Sequence, residues 1–184
     1  MYIRKIVSKN LGPIKKIQLL LPLENGVPKP VVLVGENRTG KSTLISNVVD
    51  SFYEIAGAAY PDARKHGETE GYEFYKIINP IEIHTGEKYL YSYIKYESLS
   101  GEIPSIDYVF KSGRISNEEF RQNCDDCSQQ ISWTDDENFK QTTASKEDAE
   151  KIISSDIICY FGPDRYEKPS WLYILNQYTT IRAG

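Results

Sequence analysis

Cysteine is scarce in this chain: Cys124, Cys127 and Cys159 are all it has. Three is odd and too few for a disulfide framework, which excludes a stapled secreted scaffold and fits a cytoplasmic protein. Long apolar runs are missing as well. No stretch approaches the roughly 20 residues that a membrane-spanning helix needs. The first residues, Met1-Tyr2-Ile3-Arg4-Lys5-Ile6-Val7, read as a strand rather than a secretory leader. There is no internal repeat and no low-complexity tract. With only His66 and His84 available, no Ser-His-Asp triad can be argued, nor any paired-carboxylate arrangement; His84 falls in a strand and reads as structural. What remains is 184 residues, 40% of them hydrophobic. That is enough core for one domain, or one domain with a large insertion.

Against these absences stands one complete motif. Residues Gly35-Glu36-Asn37-Arg38-Thr39-Gly40-Lys41-Ser42 match the phosphate-binding loop G-x-x-x-x-G-K-[ST]. Four fixed positions recur by chance in roughly one chain in a hundred of this length, so the flanks decide its weight. Pro30-Val31-Val32-Leu33-Val34 precedes the loop and reads as a short buried strand. Thr43 to Tyr53 follows it, with Leu44, Val48 and Phe52 recurring every four residues as on one helix face. Glycines at 35 and 40 let the backbone curl without Cβ clashes. The curled loop points N–H groups inward as a nest for phosphate oxygens, and the helix N-terminus adds partial positive charge. In that geometry Lys41 reaches the β/γ-phosphates and the Ser42 hydroxyl ligates Mg²⁺.

The net charge of −4 hides an asymmetry. Residues 1–43 hold eight Lys/Arg against Glu24 and Glu36, a net of +6, so the remainder carries −10. Acid collects between Glu118 and Glu150, with ten Asp/Glu against three Lys/Arg. This stretch reads as a solvated acidic loop or helical insertion rather than a nucleic-acid surface. Along the chain, Tyr2–Val7 and Ile14–Leu21 read as strands joined across Asn10-Leu11-Gly12-Pro13, and Glu24 to Pro28 as a second turn. The phosphate loop therefore sits on the third strand, whereas small nucleotide kinases generally place it on the first. Pro61 to Gly71 reads as a loop. A β-meander follows, with Ile81–Thr85, Lys88–Tyr96 and a strand holding Ile106, Tyr108 and Phe110. Tyr89, Tyr91 and Tyr93 alternate on one face of it, the signature of a half-exposed sheet whose hydroxyls stay wet. Asn117 to Arg121 starts a short helix, and Ser145 with Asp148 forms a capping-box pattern for another. Ile157-Ile158-Cys159-Tyr160-Phe161 reads as a central strand ending at Gly162-Pro163. Cys124-Asp125-Asp126-Cys127 has metal-ligand spacing, but it offers two of the four ligands that structural zinc takes, short of sharing zinc across a dimer; it reads as ordinary thiols.

Three blocks together resemble the N-terminal lobe of ABC-type ATPases of the SMC/RecF/OLD kind. Ile6 to Ile14 is similar to their opening strand and turn. Gly35 to Thr43 is similar to their G-x-N-G-x-G-K-S loop. Asp156-Ile157-Ile158-Cys159-Tyr160-Phe161-Gly162-Pro163-Asp164-Arg165 resembles a late strand of OLD-like and anti-phage-defence ATPases. The resemblance implies an α/β P-loop NTPase fold, lobe one of an ABC-type ATPase head, with an antiparallel β-subdomain over residues 1–184. It implies ATP and Mg²⁺ as ligands, Lys41 as the catalytic charge, Ser42 as metal ligand, and Gly35, Glu36, Asn37, Arg38, Thr39, Gly40, Lys41, Ser42 and Thr43 as the nucleotide-binding loop. It further implies a homodimer or higher homo-oligomer through ATPase heads, DNA or an effector protein as partner, and no membrane. If the Ile157–Phe161 strand runs parallel to Val31–Val34, Arg165 emerges beside the loop as a further nucleotide-binding residue, to sense the γ-phosphate or anchor the segment that carries ATP state; a surface arginine paired with Asp164 or Glu167 is the alternative.

The chain departs from the pattern in three places. Arg38 replaces the usual second glycine. No obvious Q-loop glutamine follows the late strand, and Asp164 or Arg165 falls near its place. No Walker B or signature helix is found; Ser98-Leu99-Ser100-Gly101-Glu102 imitates the signature in letters but reads as a turn. The expectation is therefore an ATP-binding lobe whose hydrolytic half lies elsewhere, coupling nucleotide state to DNA-related or phage-defence work. The alternatives are a nucleotide-dependent assembly scaffold without significant turnover, and a small-metabolite P-loop kinase.

Overall fold

A computed structural model describes residues 1–60, 83–134 and 138–155. Within them the chain forms β1 (Tyr2–Leu11), β2 (Ile14–Leu20), a two-residue pair β3 (Leu23–Glu24) and β4 (Val27–Pro28), then helix α1 (Lys41–Ala59). β5 (Tyr89–Glu97), β6 (Ile106–Gly113), α2 (Asn117–Arg121), β7 (Asn138–Thr142) and α3 (Lys146–Ser155) follow. β2-β1-β5-β6-β7 hydrogen-bond in that order as one five-stranded sheet, and every pairing in it is antiparallel. The turns that make this possible are legible locally. Asn10 and Gly12 take positive φ (56° and 53°) between β1 and β2, and Asn25-Gly26 do so (53° and 77°) between β3 and β4. Glycine and asparagine tolerate that region at low cost.

This architecture corrects the expected α/β P-loop fold with a parallel sheet, the lobe-one ATPase head. The described residues are mostly antiparallel sheet with three helices. The critical difference is Val31–Val34. These residues form no strand, and Val32 and Val34 are 79% and 91% exposed. An apolar run announces burial, but a strand also needs a ladder partner, and none is present among the described residues. The late strand Ile157–Phe161, Cys159, Asp164 and Arg165 lie outside the described residues, as do His66, the Pro61–Gly71 loop and the start of the Ile81–Thr85 strand. Of that expected strand, Ile83 makes a single isolated bridge to Leu11, and His84 and Thr85 belong to no strand, so His84 does not sit in one as its sequence context implies.

The sheet is covered on both faces. One face carries Ile6, Leu90, Ile94, Tyr96, Ile106, Tyr108 and Phe110, and packs against Leu44 and Ile55 of α1 and Ala149 and Ile152 of α3. Burying each side chain of this size contributes roughly 1.5–3 kcal/mol before entropy is counted. A polar seam runs through this layer: Asn47 Nδ2 donates to Ser92 Oγ at 2.6 Å, and Ser92 meets Ser8 Oγ at 2.8 Å. The other face carries Val7, Tyr91, Tyr93 and Val109 under Phe120, Cys124, Cys127, Ile131 and Trp133. The tyrosine strand is thus not half-exposed. Tyr91 and Tyr93 are fully buried, and the Tyr93 hydroxyl donates to Asp107 Oδ1 at 3.0 Å instead of meeting water.

The cover on that second face comes from the acidic stretch, which is no free arm. Arg121 ties its turns together by donating to the carbonyls of Cys127, Ser128 and Ile131 at 2.5–3.0 Å. Asp126 meets Lys5 at 2.7 Å and Lys95 at 3.4 Å, and Glu119 meets Lys9 at 3.4 Å. The basic first strand and the acidic cover therefore neutralise each other within one fold, which accounts for part of the charge asymmetry. Both expected helix starts are in place: Ser116 Oγ accepts from Glu119 N, and Ser145 and Asp148 cap reciprocally.

Candidate functional site

The Gly35–Ser42 loop stands at the head of α1, at 19 residues the longest helix among the described residues. Gly40 is the N-cap at φ 93° and ψ 12°, a left-handed conformation that L side chains avoid. Space demands glycine there too: a Cβ would lie 2.4 Å from Ile14 Cγ1 and 3.4 Å from Pro13 Cγ. The loop is therefore seated on the β1–β2 turn. At its other end, a Cβ on Gly35 would lie 3.1 Å from Thr39 Oγ1. Thr39 Oγ1 donates to Glu36 O at 2.9 Å, and Lys41 Nζ folds back to Gly35 O at 2.7 Å and Glu36 O at 2.5 Å. The ammonium closes the loop into a ring by holding its first two carbonyls.

The head of α1 differs from those of the other helices. Its cap makes no side-chain hydrogen bond, and its first turn holds no acidic residue. α2 and α3 are capped by serine and carry Glu118-Glu119 and Glu147-Asp148 in their first turns. The first intrahelical bond of α1 is Leu44 N to Gly40 O at 2.9 Å, so the amides ahead of Leu44 have no partner inside the helix. Uncapped amides, the helix dipole and Lys41 all present positive potential at one point.

Arg38 also sits at positive φ, 68°. This explains why the resembled pattern prefers glycine there: a non-glycine residue in that region costs about 1–2 kcal/mol. Glu36, Asn37, Arg38, Thr39 and Ser42 are exposed and Lys41 is half-buried, while Thr43 is half-buried as the helix enters the core. The structure thus brings residues 35–43 together.

The cysteine pair is closed to such chemistry. Cys124 and Cys127 are buried free thiols. Burial, with the Asp107 charge adding to it, pushes Cys127 up to about 12, and burial with the neighbouring Cys127 pushes Cys124 up as well. Thiols held protonated this way are poor nucleophiles and poor metal ligands. Among the described residues no group of three or more metal-ligating side chains gathers. Ser98–Glu102 lies in the bent connection from β5 to β6, outside any helix, with Gly101 at φ 70°. Burial also raises Asp107, against the hydrogen bonds from Ser128 N and Tyr93 that favour its charge. No described helix is long and apolar enough to cross a membrane.

Two residues of the site were not visible as such in the sequence. Ile14 and Pro13 form the seat under Gly40, and only the folded hairpin brings them there. Comparison of the chain with protein-family models gives no match, and comparison with curated proteins gives none.

Proposed function

We propose that the chain binds the phosphates of ATP, with Mg²⁺, through Gly35–Ser42, as the nucleotide-binding part of a dimerising SMC/RecF/OLD-like ATPase. The observation that carries the reading is the complete motif placed at the uncapped head of α1, with Lys41 folded over the loop carbonyls. The residues fit a phosphate. Gly35 is exposed at the mouth of the loop, where a Cβ would crowd Thr39 Oγ1 at 3.1 Å, and the amides ahead of Leu44 are free of helical partners. On nucleotide binding, Lys41 exchanges two carbonyls for β/γ-phosphate oxygens, a charge-assisted contact stronger than the one it leaves. Mg²⁺ fits more narrowly. Thr39 Oγ1 is already bonded to Glu36 O, so Ser42 Oγ, exposed in the first turn of α1, would be the motif hydroxyl that holds it, and the metal's remaining ligands would come from phosphate and water, its usual habit. When bound, the metal neutralises phosphate charge.

The three sequence blocks support ATP as the nucleotide and a second copy of the chain as partner, with DNA or an effector protein downstream. Competition against a fluorescent ATP analogue tests the phosphate assignment. ATP and ADP displace the probe, while AMP, which offers Lys41 no β-phosphate, competes at least about tenfold more weakly, a loss of about 1.4 kcal/mol. Equal competition by AMP would contradict the assignment.

A further inference from the structure

We propose that His84 is a positioning residue for the phosphate loop, acting through the β1–β2 turn; the role in affinity rests on the ATP-binding reading above. Two bonds carry it. The His84 backbone N–H donates to Asn10 O at 2.8 Å, and its ring Nδ1 lies 2.7 Å from Gly12 O. A carbonyl only accepts, so Nδ1 carries the proton and donates. One residue thereby clasps both left-handed positions of the turn, Asn10 and Gly12. The opposite side of the turn is held by Asn10 Nδ2, which donates to Tyr89 O at 3.0 Å.

The turn matters because the loop rests on it. Pro13 and Ile14 follow Gly12 directly and touch the place where Gly40 can carry no side chain. Otherwise the bonds found for the loop side chains are internal, from Thr39 and Lys41 to the carbonyls of Gly35 and Glu36. The seat under Gly40 is thus a contact that registers the loop itself against the sheet, between Leu33 and Leu44, which pack into the core on either side of it. A shift of the Gly12 carbonyl moves Pro13 and Ile14, and the left-handed Gly40 with them. His84 touches no phosphate in this scheme. It fixes where the amides of the loop point.

The test compares His84→Ala with His84→Asn, whose Nδ2 can occupy the place of Nδ1 and donate to Gly12 O. ATP affinity, measured by calorimetry with Mg²⁺, falls about three- to tenfold in His84→Ala, the equivalent of one lost hydrogen bond, and returns to within about twofold in His84→Asn. The amide resonance of Gly40, recorded without nucleotide, moves in His84→Ala and returns in His84→Asn. Unchanged affinity in a folded His84→Ala overturns the proposal, as does equal loss in both variants. If the unaltered chain binds no ATP, the nucleotide reading fails, while the Gly40 resonance still decides whether His84 positions the loop. Should His84→Ala fail to fold, His84→Asn against His84→Leu gives the same comparison, and a Gly40 resonance identical in the two overturns the proposal.

Discussion

Replacing Gly40 by alanine adds one methyl group to the molecule and strikes the site at its seat. Two costs follow from the geometry. The backbone at φ 93° is one that alanine resists, at about 1–2 kcal/mol. The new Cβ would stand 2.4 Å from Ile14 Cγ1, and Ile14 is itself buried in the core, so the contact must open by more than an ångström. Overpacking of this kind costs about 1–3 kcal/mol. The sum is on the order of 3 kcal/mol, and at roughly 2–4 °C per kcal/mol for a chain of this size the melting temperature falls by about 6–12 °C. Differential scanning calorimetry measures the loss. A double variant separates the two costs: Ile14→Ala removes the clashing atoms, so Gly40→Ala is less harmful in its presence, with a coupling of about 1–3 kcal/mol. A melting temperature within about 2 °C of the parent, or strict additivity in the double variant, would refute the claim that the loop is seated on the β1–β2 turn.

Other perturbations probe separate parts of the account. Arg38→Gly relieves a left-handed backbone, φ 68°, and stabilises the fold by about 1 kcal/mol in urea titrations; destabilisation would show that the side chain makes an essential contact. Ser42→Ala loses the Mg²⁺-dependent part of ATP affinity and keeps the metal-free part; equal loss of both means that the hydroxyl shapes the loop rather than holding metal. Asp126 is pushed up by burial but held below the usual carboxylate range overall, by the hydrogen bond and charge of Lys5 and by Lys95. Its folded-state value is depressed, so its stabilisation is present above the unfolded value of about 3.9 and fades as pH falls through the folded one. Asp126→Asn therefore costs stability at neutral pH and progressively less in acid, measured by urea midpoints; a pH-independent cost would contradict the Lys5–Asp126 clasp.

Much of the local structure was legible because local chemistry writes it. Asn-Leu-Gly-Pro and Asn-Gly announce their turns, Asn117–Arg121 and the Ser145–Asp148 pair their helices, and the strict alternation in Tyr89–Tyr96 its strand. The motif placed the site at the head of a helix with Leu44, Val48 and Phe52 inward, and the folded chain has that arrangement. What failed were inferences about partners. Val31–Val34 is apolar enough for a central strand, yet apolarity does not specify a neighbour, and the sheet is assembled antiparallel from β1, β2, β5, β6 and β7 without it. Tyr91 and Tyr93 alternate as half-exposed residues would, but a cover 25 or more residues downstream in the chain buries them. That cover reads as solvated because its charges stand out; Phe120, Cys124, Cys127 and Ile131 recur at helical spacing, yet the helix ends at Arg121 and the chain brings the later anchors onto the sheet through turns. The seat of Gly40 on Ile14 joins residues 26 positions apart, and no local pattern encodes it.

The central claim is that Lys41 and its loop hold a nucleotide triphosphate. Calorimetric titration of ATP with Mg²⁺ into the chain, beside Lys41→Ala, tests it most directly. Lys41 is half-buried and, among the described residues, its side-chain hydrogen bonds go to its own loop carbonyls, so the variant keeps the parent's circular dichroism. The account predicts saturable binding near one ATP per chain, weakened at least about tenfold in Lys41→Ala. No binding to the parent chain, or equal affinity in the two folded proteins, would contradict it.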